Sequence, residues 1–205
     1  MAKSTTKQQQ HQYTPRASLA ALGMKFSQLG IFRPIAEQVQ ITQKVVTYTP
    51  VEKLKDALMT ILAGAHGLVE ANKRVRPDRG LQQAFGRDGC AEQSVISETL
   101  NACTPENVEQ MEQAMKEIYQ QHSAGYCHDY EQSLQLLDTD MTGQPCGRKA
   151  AFATKGYFAK QRNRRGRQLG RVLATWYEEI VIDRIYDGKT QLPRAFQELV
   201  LAAED

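Results

Sequence analysis

The sequence of 205 residues has no apolar run approaching the roughly 18–20 residues that a membrane-spanning helix requires. Its longest candidate, residues 58–69, is interrupted by Gly64, His66 and Gly67, so no membrane partner is expected. There is no CxxC pair. Cys90, Cys103, Cys127 and Cys146 lie far apart, which speaks against a disulfide framework and against a common zinc site. His122, Cys127 and His128 are the remaining metal-ligand candidates, set against a polar loop that simply closes a helix. The N-terminal stretch MAKSTTKQQQHQ lacks the apolar centre of a signal peptide, so a polar, disordered tail over residues 1–16 and a cytoplasmic location are expected.

One more absence carries the most information. Residues 141–177 contain no acidic side chain at all and nine Lys/Arg, a net of +9. Residues 1–140 carry 14 basic against 16 acidic side chains, and residues 178–205 carry 3 against 7. The whole positive excess of a chain whose net charge is only +3 therefore sits in one segment.

The first 128 residues read as helical. A helix over 18–29 is closed by Gly30. Thr49, Pro50 and Glu52 form a start signal with a capping box, and the apolar positions Leu54, Leu58, Ile61, Leu62, Ala65, Leu68 and Val69 carry that helix to about residue 71. A basic link with the breakers Pro77 and Gly80 follows, then short helices over 81–85 and 91–102 and a longer one from Thr104-Pro105 to about 121. Beyond residue 130 the pattern changes to a buried strand over 134–140, a long basic loop, strands over 169–177 and 180–186 joined at Glu178-Glu179, and a final helix from Pro193. The fold class is α+β, with a helical domain over 17–128 and a mixed one over 130–205.

Asp138 and Asp140 stand two residues apart on the first strand, so their side chains share one face. Two neighbouring carboxylates repel unless a cation lies beside them. Mg²⁺ accepts hard oxygen donors and takes one or two carboxylates from a protein, while the alternative is a pair of aspartates that merely end a strand. The segment 147–171 interleaves its cations with Phe152, Tyr157 and Phe158, a pattern suited to phosphates and bases, and otherwise a solvated basic loop. Lys155, Lys160, Arg162, Arg164, Arg165, Arg167 and Arg171 are the candidate DNA-binding side chains.

The stretch LLDTDMTGQPCGRKAAFATKGYFAKQRNRRGRQLGRVLATWYEEIV resembles the start of the catalytic domain of bacterial insertion-sequence transposases of the DDE type. SLAALGMKFSQLGIF, YTPVEKLKDALMTILAGAHGLVEANKR and CAEQSVISETLNA resemble the helical N-terminal region of the same proteins. The resemblance spans roughly residues 17–205. It implies a ribonuclease H-like fold that opens with three antiparallel strands and a helix, with Asp140 of Asp140-Met141-Thr142 as first catalytic carboxylate and Asp138 as its alternative or partner. It further implies Mg²⁺ or Mn²⁺ as cofactor, transposon-end duplex DNA as partner, and metal-dependent cleavage and strand transfer in DNA transposition. The family's second Asp and its Glu have no matching position, so the expectation is a truncated ribonuclease H-like domain that does not cut DNA alone, with an exposed sheet edge and a possible homodimer. The rival readings are a non-catalytic DNA-binding protein derived from a transposase and a small zinc-binding module. Lys73, Arg74, Arg76 and Arg79 are the candidate local DNA contact of the helical region, with a solvated link as the alternative.

Overall fold

A computed structural model describes residues 12–44, 47–158 and 161–204, with only the backbone of Tyr157, Gln161 and Arg162. Residues 1–11 of the expected tail lie outside the described residues. The chain divides into two compact units, Met1–Ile118 and Tyr119–Asp205, and the division falls within a helix rather than near residue 128.

Among the described residues, six α-helices precede the strands: α1 (Ala17–Leu29), α2 (Arg33–Gln38), α3 (Pro50–Leu62), α4 (Arg79–Ala84), α5 (Gln93–Ala102) and α6 (Pro105–His122). α1 ends as its sequence dictates. Gly30 takes the left-handed conformation (φ 67°), and Gly30 and Ile31 donate to the carbonyls of Ser27 and Phe26. At the start of α3, Thr49 Oγ1 accepts from the Glu52 amide while Glu52 Oε2 accepts from the Thr49 amide at 2.7 Å, the expected capping box. α3 stops at Leu62, nine residues short of the expected end. Gly64 turns the chain with φ 75°, and the apolar residues beyond it continue in the short turns Leu68–Glu70 and Ala71–Val75. Residues 13–16 are not a loose tail: Thr14 and Arg16 both donate to Asp78 Oδ2, the residue that caps α4.

The core of the first unit gathers Phe32, Met59, Val75, Leu81, Phe85 and Cys90. A buried ion-pair network lies among its helices. Arg87 donates to Asp56 through Nε (3.0 Å) and Nη2 (3.2 Å), to Glu52 through Nη1, and lies over the Tyr48 ring at 4.9 Å. Asp56 also accepts the Ala91 amide at 2.8 Å, so a fully buried carboxylate ties α3 to the segment leading into α5. Glu52 thus serves the helix cap and the ion pair together.

The second unit is an antiparallel sheet of β1 (Leu137–Pro145), β2 (Thr154–Phe158), β3 (Gln161–Ala174) and β4 (Glu179–Asp187), followed by α7 (Leu192–Glu204). β3 is the centre: β1 lies along one side, and β4 and β2 pair with the other. α7 covers one face through Ala195 and Leu199 against Val172. Two expectations change here. β1 begins three residues later than the buried strand read over 134–140, and it is an exposed edge whose outer side pairs with nothing among the described residues. Leu134 and Leu136 precede it at 85% and 62% exposure, because the register with β3 starts at Leu137↔Ala174. The basic segment is a strand hairpin, not a loop. β2 pairs back onto the first half of β3, which starts at residue 161 instead of 169.

Removing one partner of a buried ion pair strands the other charge, at a cost of about 3–5 kcal/mol. Arg87→Met is expected to lower the unfolding free energy by that amount in urea denaturation, while Arg184→Met, at an exposed pair with Glu198, changes it by less than about 1 kcal/mol.

Candidate functional site

The carboxylate pair sits on the sheet face that α7 leaves open. Thr139 packs toward Val172, Phe196 and Val200 under the helix, and strand alternation turns Asp138 and Asp140 to the other side, where both are exposed. The register completes a row across three strands. Asp140 lies opposite Arg171, and Arg171 lies opposite Asp183. Arg171 is bound to Asp183 in a fork, Nε to Oδ1 at 2.7 Å and Nη2 to Oδ2 at 2.6 Å, and these hydrogen bonds raise the already high pKa of the guanidinium. A residue expected to hold DNA is thus engaged within the sheet, opposite Asp140 and bound to Asp183. Asp183 carries no motif of its own and only the pairing of β3 with β4 reveals it.

The other expected DNA contacts divide by environment. Lys155 and Arg164 are exposed at the far end of β2 and β3. The Arg165 guanidinium donates to the Ala153 carbonyl at 3.1 Å, and Arg167 holds a buried Nε with no partner, so both belong partly to the sheet. Lys160 and the Arg162 side chain lie outside the described residues. In the helical unit, Arg74 is paired with Glu70 and bonded to the Ala63 carbonyl, Arg76 reaches Asn72, and Arg79 holds Gln82 and the Asp88 carbonyl. Lys73 is exposed.

What fixes the hairpin is Phe158, 1% exposed in a sheet that is otherwise half open. Its ring lies where side chains of Gly143, Gly156, Gly166 and Gly188 would stand: a Cβ on these would come within 2.8, 3.0, 2.8 and 2.7 Å of it. Glycine inside a strand marks such a close approach. The spacing of Gly156 and Gly166 around KGYF and RRGRQLGR was therefore a readable signal.

At the opposite end, the segment after α6 is pinned to the start of β4. Glu179 accepts from Ser123 Oγ (2.5 Å), Ala124 N (3.1 Å) and Gly125 N (3.0 Å). Burial opposes ionisation of Glu179, but these three donors outweigh it and hold the carboxyl below its ordinary value of 4.5. His128 joins the same junction. Its Nδ1 bonds Tyr177 Oη at 2.7 Å and its Nε2 bonds the Ser133 carbonyl at 3.0 Å. Both ring nitrogens of His128 are engaged in these hydrogen bonds, and among the described residues no group of three or more His, Cys, Asp or Glu converges on one point.

Comparison of the chain with protein-family models, with curated proteins and with solved structures returns no match.

Two outcomes follow from this geometry. Gly166→Ala places a methyl 2.8 Å from both the Phe158 ring and the Gln144 carbonyl oxygen, an overpacking expected to cost about 1–3 kcal/mol in urea denaturation. Gly147→Ala meets nothing within 4 Å and serves as the neutral control. The depressed Glu179 pKa means its contribution is complete above the unfolded value of 4.5 and is lost as pH falls through the lower folded value. Glu179→Gln should accordingly destabilise the sheet unit at pH 7 and flatten its loss of stability in acid, read by Trp176 fluorescence during denaturation at both pH values.

Proposed function

We propose that this chain is a DNA-binding protein of the DDE transposase type, whose basic hairpin grips the phosphates of transposon-end DNA and whose Asp140 and Asp138 form the first part of a metal-dependent cleavage and strand-transfer site. The observation that carries the reading is the segregation of charge: a 37-residue segment with nine cations and no acid, ending beside an exposed carboxylate pair on the same sheet. A solvated basic loop does not need a buried phenylalanine and four glycines to hold it in place. Three antiparallel strands in the order β1, β3, β4, followed by α7, also accord with the opening of a ribonuclease H-like fold.

The carboxylates fit Mg²⁺ or Mn²⁺ by donor type and number, since two exposed oxygen-bearing side chains on one strand face leave the remaining positions to water and substrate. When bound, the metal supplies Lewis acidity and orients the phosphate oxygens. Asp140 and Asp138 would hold it, and Arg171, fixed by Asp183, stands opposite Asp140 in the register on the same face of the sheet. The same arginine favours the second reading. Standing opposite Asp140 in the register, it brings a cation to that stretch of the sheet without a metal, as a non-catalytic DNA-binding descendant of a transposase would require.

Each phosphate contact adds about 0.9 to the log–log slope of affinity against salt. Lys155→Gln with Arg164→Gln is expected to lower the slope by up to about 1.8 for any duplex, in an anisotropy titration, while preserving preference among sequences. An unchanged slope and affinity refute the assignment. Mn²⁺ binding to the chain, read by calorimetry, separates the two readings: binding that is lost in Asp138→Asn with Asp140→Asn while DNA affinity is retained supports the catalytic one, and no Mn²⁺ binding by the unaltered chain supports the binding protein.

A further inference from the structure

The strand β3 separates two chemically opposite ends of the sheet unit. At one end Arg148, Lys149, Lys155 and Arg164 are exposed. At the other, the β3–β4 turn and the segment after α6 bring exposed aromatic rings together with acids. Residues 119–147 contain no Lys or Arg and four acidic side chains, and residues 172–183 contain no Lys or Arg and three.

The aromatic end is a built surface. His128 stands edge-on to Tyr130 (4.7 Å), Trp176 (5.9 Å) and Tyr177 (5.7 Å), and its two hydrogen bonds keep it there. Thr175 donates twice to the Leu136 carbonyl, from its amide and from its hydroxyl, which brings that exposed leucine beside the turn. Trp176, Tyr130 and Leu136 remain 59%, 57% and 62% exposed, with the exposed carboxylates of Glu131 and Glu178 in the same two segments. Rings presented beside carboxylates suit Lys and especially Arg, whose guanidinium stacks on an aromatic face and pairs with a carboxylate at its edge. DNA, a polyanion, is repelled by such a surface.

Within one molecule the two ends do not meet. Arg164 and Ala174 are ten residues apart on one extended strand, roughly 33 Å at 3.3 Å per residue. From the charge complementarity and this separation, we infer that the aromatic, acidic end docks the cationic end of a second copy of the chain, so that the protein associates head to tail. The contact is heterologous: each copy offers one end of each kind, and the assembly grows or closes according to the rotation between copies. It competes with DNA binding, because both use the cationic end, and the Glu131 and Glu178 variant tests it apart from that reading.

Trp176 is the single tryptophan of the chain, so its emission reports this surface directly. Sedimentation velocity of the full chain should show mass rising with concentration at low salt, accompanied by a change in Trp176 emission, and both effects should vanish at high salt. Glu131→Gln with Glu178→Gln, and separately Lys155→Gln with Arg164→Gln, should each weaken association about tenfold. Mixing the two double variants should give a one-to-one dimer and nothing larger, since one variant keeps an intact cationic end and the other an intact aromatic end. A monomer at every concentration in low salt, association unchanged in both variants, or a mixture that fails to dimerise would each overturn the inference.

Discussion

The sheet unit depends on the burial of Phe158. A hairpin carrying arginines on a long strand gains little from its own side chains, because like charges on neighbouring strands repel and solvated guanidiniums contribute almost nothing to packing. Phe158 supplies the missing apolar contact. It is available only because Gly143, Gly156, Gly166 and Gly188, drawn from three strands and the turn after β4, leave room for one ring. That ring joins the hairpin to β1 and to the turn that leads into α7. The cations are thereby held on a defined framework, which makes the segment a surface rather than a tether.

The same framework decides what the charged side chains do. Register, not composition, sets Arg171 between Asp140 and Asp183 and makes it a cross-strand partner, while Lys155 and Arg164 at the other end remain exposed. Charge is consequently graded along β3, from a cationic end through a mixed row to an aromatic and acidic end. In the helical unit the corresponding economy is internal. Arg87 is spent on Asp56, Glu52 and Tyr48, and Arg74 on Glu70, so its guanidiniums brace helices and turns.

Local chemistry was legible in the sequence wherever one turn of chain contains both partners. The cap at Thr49 and Glu52, the left-handed close at Gly30 and the common face of Asp138 and Asp140 needed only spacing and the periods 3.6 and 2. The concentration of cations in residues 141–177 was legible too, as a sum that folding does not alter. Errors arose where a local signal competed with a distant partner. Apolar spacing argued for a helix through residue 71, yet Gly64 turned the chain at the end of α3. Many cations argued for a loop over residues 147–171, yet pairing of β2 with β3 and the seat of one phenylalanine outweighed them.

By itself, then, the sequence determined the helix starts at Pro50 and Pro105, the strand alternation that puts the aspartates together, and the separation of basic from acidic segments, because each rests on near neighbours or on addition. Only the tertiary structure decided that Arg171 answers Asp183, that Asp56 receives Arg87 from 31 residues away, and that His128 is held between Tyr177 and Ser133. Such pairings depend on strand register and on loop closure, where a shift of one residue sends every side chain to the opposite face, and no local pattern specifies that shift.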